Sequence, residues 1–269
     1  MDCSFLMKSK SFVRDSVFLQ SFRIVKSNLG ISGMIILFDL MFLVSFLTMQ
    51  KLFDYSAPAI ISNINANPLL LFFVLSSLYY LILLFVYSIF KFSVIGFVKS
   101  LFFKSRPSFR EFWKFYALNL AIALVFLAVM LVLDYVLANL KPDFAPYVFL
   151  VMAVPYALIL YASVNISQSL LCHGNSLTAS LKKGFAITFA EIKRYRELVL
   201  VMIISAAALW IIFVGVGYLI RVSTSANYTL YLKTYSVFGE ASKWAISIVF
   251  YFLIFINRIS FYQITQNKR

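Results

Sequence analysis

Six unbroken apolar runs decide what this chain can become. A helix needs about 20 apolar residues to cross a hydrocarbon core of about 30 Å. Runs that meet this length extend from Gly30 to about Gln50, Pro68 to Val94, Ala117 to Leu137, Pro146 to Leu170, Leu198 to Ile220 and Lys243 to Ile264. Strands of a membrane barrel alternate in polarity and are only about 10 residues long, so a β-barrel is excluded. Apolar residues make up 62% of the 269, more than the roughly 45 to 50% of a soluble domain. Most side chains must therefore face lipid. The expected fold is all-α: a polytopic membrane domain of six transmembrane helices over 30–264, preceded by an amphipathic segment at 1–29 and followed by a short tail at 265–269.

The cations set the expected threading. Nineteen of the 24 lysines and arginines fall before span 1, around the turn between spans 2 and 3, between spans 4 and 5, and from Arg258 onward. Basic residues collect on the cytoplasmic side, which places both termini in the cytoplasm and the protein in the cell membrane as a multi-pass chain. The net charge of +14 is spread over short juxtamembrane segments. That pattern attracts anionic headgroups at about 1 kcal/mol per basic residue. A nucleic-acid binder gathers its cations on one folded surface, so nucleic acid is not an expected partner. No cleavable leader is expected, because the first apolar run is long enough to span and is preceded by 29 mostly amphipathic residues.

Each odd-numbered span is led in by a basic amphipathic segment. In the first, Phe18, Phe22, Val25 and Leu29 share a helical face. In the second, Phe109, Phe112, Trp113 and Tyr116 recur at helical spacing, Ser108 and Glu111 suggest a capping box, and Pro107 separates the segment from span 2. In the third, Leu177, Leu181, Phe185, Phe189 and Ile192 form the stripe. Helices of this composition lie at the membrane boundary. The expected organisation is three copies of one unit: interfacial helix, outgoing span, loop, return span. Arg110, Lys114, Lys182, Lys183, Lys193 and Arg194 are the candidate contacts to anionic lipid.

The stretch from Pro155 to Glu197 resembles the junction between the fourth and fifth spans in a broad group of six-span prokaryotic membrane proteins. That group includes the membrane domain accompanying some glycerophosphodiester phosphodiesterases. The likeness rests on Pro155 inside span 4, Gly174 and Ser176 in the turn, and the basic helix led by Leu181, Lys182 and Lys183. It implies an accessory or stand-alone membrane module and carries over no catalytic residue.

Ionisable groups at membrane depth cost about 2.5 to 3.5 kcal/mol each at a helix centre and are the first place to seek function. Asp39 lies 9 residues into span 1, about 14 Å deep, and Arg258 in span 6 is its candidate partner, with Asn257 assisting. Ser76, Ser77, Tyr79 and Tyr80 in span 2 are candidate donors to Asp39. Asp134 falls near the outer end of span 3, and Lys91 can reach the headgroups from the end of span 2. Pro155 is expected to kink span 4. Cys172 and His173 are adjacent, but zinc needs three or four ligands, so neither metal nor cofactor is expected, and Cys3 and Cys172 on the cytoplasmic side should stay reduced. Asn227-Tyr-Thr fits a glycosylation acceptor. No catalytic motif is present in the sequence. The expectation is a non-enzymatic membrane module with lipid or protein partners. A small permease with its site near Asp39 and Pro155 is the alternative, and an enzyme of lipid metabolism is a third reading.

Overall fold

The computed structural model describes residues 16–64, 67–102, 109–141, 143–225 and 227–266, without the side chains of Phe109 and Arg194. These residues form helices and no strand: α1 Val17–Ser27, α2 Leu29–Asn63, α3 Pro68–Ser100, α4 Phe109–Ala138, α5 Ala145–Cys172, α6 Leu177–Ala190, α7 Ile192–Ser223 and α8 Tyr228–Gln266. Six of them, all but α1 and α6, are long and apolar enough to cross a membrane. The chain has the architecture of a multi-span membrane protein.

Several helices outrun the apolar runs that announced them. The 35 residues of α2 and 39 of α8 extend about 52 and 58 Å at 1.5 Å per residue. Segments 51–63 and 228–242 are helical, although hydropathy placed them in loops. Pro58 sits inside α2. Hydropathy detects only the lipid-compatible part of a helix, while helix ends are set by caps. Asn67 Oδ1 accepts from the N–H groups of Leu69 and Leu70, ahead of Pro68 at the first helical position. Asn227 Oδ1 accepts from the Leu230 N–H at 3.0 Å, so the residue read as a glycosylation acceptor caps α8. Ser176 Oγ accepts from the Ala179 N–H, and Gly174, at φ +90°, supplies the left-handed residue that turns α5 toward α6. The second lead-in segment is continuous with α4. Its expected capping box and proline turn involve Pro107 and Ser108, outside the described residues.

Two compact units divide the chain. Residues 26–189 make the first. Here α2 runs antiparallel to α3 through aromatic contacts: Phe38 with Phe97 at 5.3 Å, Phe42 with Tyr87 at 5.8 Å, and Phe53 stacked on Tyr79 at 4.4 Å between ring centroids. The start of α4 packs on α3 through Phe112 and Phe115 against Phe85 and Phe92, and α5 follows α4 with Tyr156 stacked on Phe126. Offset and edge-on ring pairs such as these are favourable beyond the area they bury.

Most of α1 joins α7 and α8 in the second unit. Within it α7 and α8 are antiparallel, as the pairs Tyr195 with Phe261 and Phe213 with Phe238 show. Helix α1 docks on the closing turns of α8.

Candidate functional site

In the first unit, polar side chains collect where α3 and α5 end and α4 begins. Gln168 Nε2 donates to Asn119 Oδ1 at 2.8 Å, Asn119 Nδ2 donates to Ser88 Oγ at 2.9 Å, and the Ser88 hydroxyl donates to the Leu84 carbonyl at 2.7 Å. Beside this chain, Lys91 Nζ donates to Asn165 Oδ1 at 3.4 Å, and Asn165 Nδ2 to the Tyr161 carbonyl. Spacing three residues apart puts Ser88 with Lys91, and Asn165 with Gln168, on one face of each helix. The cluster is buried: Ser88 and Gln168 are 0% exposed and Lys91 is 9% exposed. Gln168 Oε1 meets no donor among the described residues. Lys91 is thus held inside the protein rather than reaching headgroups, because Asn165 satisfies it at the depth where it enters.

Helix α6 folds back along the end of α5. Ser163 Oγ donates to Thr188 Oγ1 at 3.1 Å, and one turn away a Cβ on Gly184 would strike Ser167 Oγ and lie 3.2 Å from its Cα. The contacts advance four residues on each helix in opposite directions, which makes the pair antiparallel. Ser180, Gly184 and Thr188 are all buried and repeat every fourth residue, the small-residue spacing that lets helix backbones approach closely in lipid. The second unit uses the same device. Ser260 Oγ donates to Ser21 Oγ at 2.8 Å and Gln263 Nε2 to Gln20 Oε1 at 2.6 Å, while the Ser16 hydroxyl donates to Glu197. Asn257, 1% exposed, points its amide at Met202 Sδ.

These contacts show what lies opposite the amphipathic stripes. In the first and third lead-in segments the buried residues are mostly small: Ser21 and, from the stripe, Val25 on α1, and Ser180, Gly184 and Thr188 on α6. Phe22, Leu29, Phe185, Phe189 and Ile192 are exposed. In the second segment Phe112, Phe115, Leu118 and Asn119 are buried, Trp113 is half exposed, and Phe115 lies off the predicted stripe. Lipid tails are as apolar as leucine, so an aromatic face gains little by turning inward, whereas small residues and hydroxyls gain close packing and hydrogen bonds. Each lead-in segment also leans on a return span that is not its own. The start of α4 packs on α3, α6 on α5, and α1 on α8.

Among the candidate lipid contacts, Arg110, Lys114, Lys182, Lys183 and Lys193 are exposed. The Arg194 side chain lies outside the described residues. Asp39 is partly buried, at the level of Phe90 and Phe97 by the contacts of its neighbour Phe38. Tyr79 stacks instead on Phe53, which is 14 residues, or about 21 Å, further along α2. Tyr79, Tyr80, Ser76 and Ser77 are therefore too far away to donate to Asp39. Asp39 and Arg258 belong to different units, and their pairing remains an expectation. Pro155 is exposed within α5, which is helical from Ala145 to Cys172. Cys172 is a buried free thiol, and no group of three or more His, Cys, Asp or Glu able to hold a metal occurs among the described residues.

Sequence reasoning missed Asn119, Asn165 and Gln168. Their only signal is amides near the ends of otherwise greasy helices, and a hydropathy average erases it. No family model, curated protein or solved structure matches the chain.

Proposed function

We propose that this protein is a non-enzymatic membrane module whose lead-in segments grip an anionic cytoplasmic leaflet, with both termini in the cytoplasm. One observation carries the reading: exposed aromatics and exposed cations share segments whose other faces are already occupied by protein. Trp113 is half exposed between Arg110 and Lys114, and Phe185 and Phe189 are exposed beside Lys182 and Lys183. Such a surface inserts rings among the acyl chains and leaves the cations at phosphate level. The likeness to accessory six-span domains belongs to the same proposal and agrees with a module that positions itself in a membrane.

The test uses Trp113 as reporter, with Trp210 and Trp244 replaced by Phe. In full-length protein reconstituted into mixed vesicles, brominated phosphatidylglycerol should quench Trp113 more than the same fraction of brominated phosphatidylcholine. Arg110→Glu with Lys114→Glu should erase that preference, since each cation near the surface contributes about 1 kcal/mol. Equal quenching by the two lipids at low salt, before any substitution, would sink the proposal.

A further inference from the structure

We infer that a groove between α7 and α8 seats one anionic phospholipid, with its phosphate at Arg221 and one acyl chain along the groove. This goes beyond the proposed leaflet grip. It concerns the end of α7 remote from the lead-in contacts, and it calls for one bound molecule rather than a charged surface.

The groove has a volume of about 560 Å³ and is lined from Tyr231 to Ser242 on α8, a length of about 17 Å. That volume lies within the roughly 300 to 1,000 Å³ usual for a ligand site. Its wall is a continuous run of rings: Tyr231 and Tyr235 at 5.6 Å, Tyr235 and Phe238 at 6.2 Å, then Phe238 and Phe213 at 6.1 Å between centroids. Two glycines keep it open, and they do so differently. A Cβ on Gly217 would touch the Phe238 ring at 3.8 Å, which is ordinary packing. A Cβ on Gly239 would meet nothing within 4 Å. With no Cβ at either position, this stretch of the groove stays open to an apolar chain.

The single cation lining the groove fixes the chemistry and direction of the occupant. Arg221 is exposed in the last turn of α7, just before the turn to α8, and makes no ion pair among the described residues. Guanidinium matches phosphate with paired donors. Tyr218 and Tyr231 flank it, as tyrosines do at the boundary between headgroups and hydrocarbon. A long aromatic groove with an arginine at one end is complementary to an acidic headgroup followed by an apolar tail. A zwitterionic headgroup would bring a second cation beside Arg221.

The test is native mass spectrometry of the full-length protein released from nanodiscs holding equal phosphatidylglycerol and phosphatidylcholine. The wild type should carry one phosphatidylglycerol in preference to phosphatidylcholine. Arg221→Gln should lower that retention about tenfold, the size expected for losing a charge-assisted contact. Gly239→Leu, whose Cβ enters the groove where nothing lies within 4 Å, should remove lipid of either kind. Arg110→Glu with Lys114→Glu should leave the lipid in place, so this inference and the leaflet grip can fail separately. Equal retention of the two lipids by the wild type, or unchanged phosphatidylglycerol in both groove variants, would overturn the assignment. A lipid-free dimer abolished by Gly239→Leu would also overturn it, because a second copy would then be the occupant.

Discussion

Two neighbouring stretches of α8 end in opposite environments. From Trp244 to Phe252, a run with no charged residue, nothing is buried, and from Leu253 to Thr265 ten residues are. Helix α5 repeats the contrast, with nothing buried before Ala162 and ten residues buried from there to Cys172. The buried halves are the ones carrying Asn165, Ser167, Gln168, Asn257 and Ser260. Hydrophobicity and burial have come apart. In lipid the greasy half needs no protein cover, and the polar half must find partners because nothing else there can satisfy it. Helix association is specified where the sequence is least oily.

The sharpest way to break this contrast is Gly184→Leu. Any side chain there meets the Ser167 backbone, so overpacking should cost about 3 kcal/mol or more in equilibrium unfolding from mixed micelles. Gly33→Ala, whose Cβ meets nothing within 4 Å, is the control and should unfold no more easily than the wild type. Next is Asn119→Ala, which leaves the buried Gln168 amide without a partner and takes a donor from Ser88. It should lose about 1 to 3 kcal/mol, and a double-mutant cycle with Gln168→Leu should show coupling of about 0.6 to 1.7 kcal/mol. Fully additive losses would mean that the amide chain does not act as a unit. The smallest effects belong to exposed apolar positions. Leu219→Ala and Val237→Ala, at 65% exposure each, should change stability by no more than about 0.5 kcal/mol. If either cost as much as Asn119→Ala, the greasy face would be covered by another protein surface rather than by lipid.

The helical class and the six spans could be read directly from the sequence, because the length needed to cross a bilayer is a strong and local constraint. Helix limits could not. Asn67 and Asn227 set two of them through single hydrogen bonds, and the stretch around Pro58 is helical although its composition resembles a loop. The aromatic stripes of the lead-in segments were legible from helical spacing, but the partners of the opposite faces were not. Ser180, Gly184 and Thr188 pack by the small-residue spacing that serves helices in lipid. Asn119 and Gln168 were illegible for a different reason: their importance lies in meeting each other from helices 49 residues apart in sequence, which no periodicity within one helix records.

The docking of α1 on α8 has a consequence for biogenesis. Ser21 leaves the ribosome well over 200 residues before Ser260, its hydrogen-bond partner. At about 5 to 20 residues per second, that is a delay of roughly ten to fifty seconds. Throughout it α1 must wait at the membrane with its serine face unmatched, and translation has to pass the hairpin of α7 and α8 before α1 can take its place.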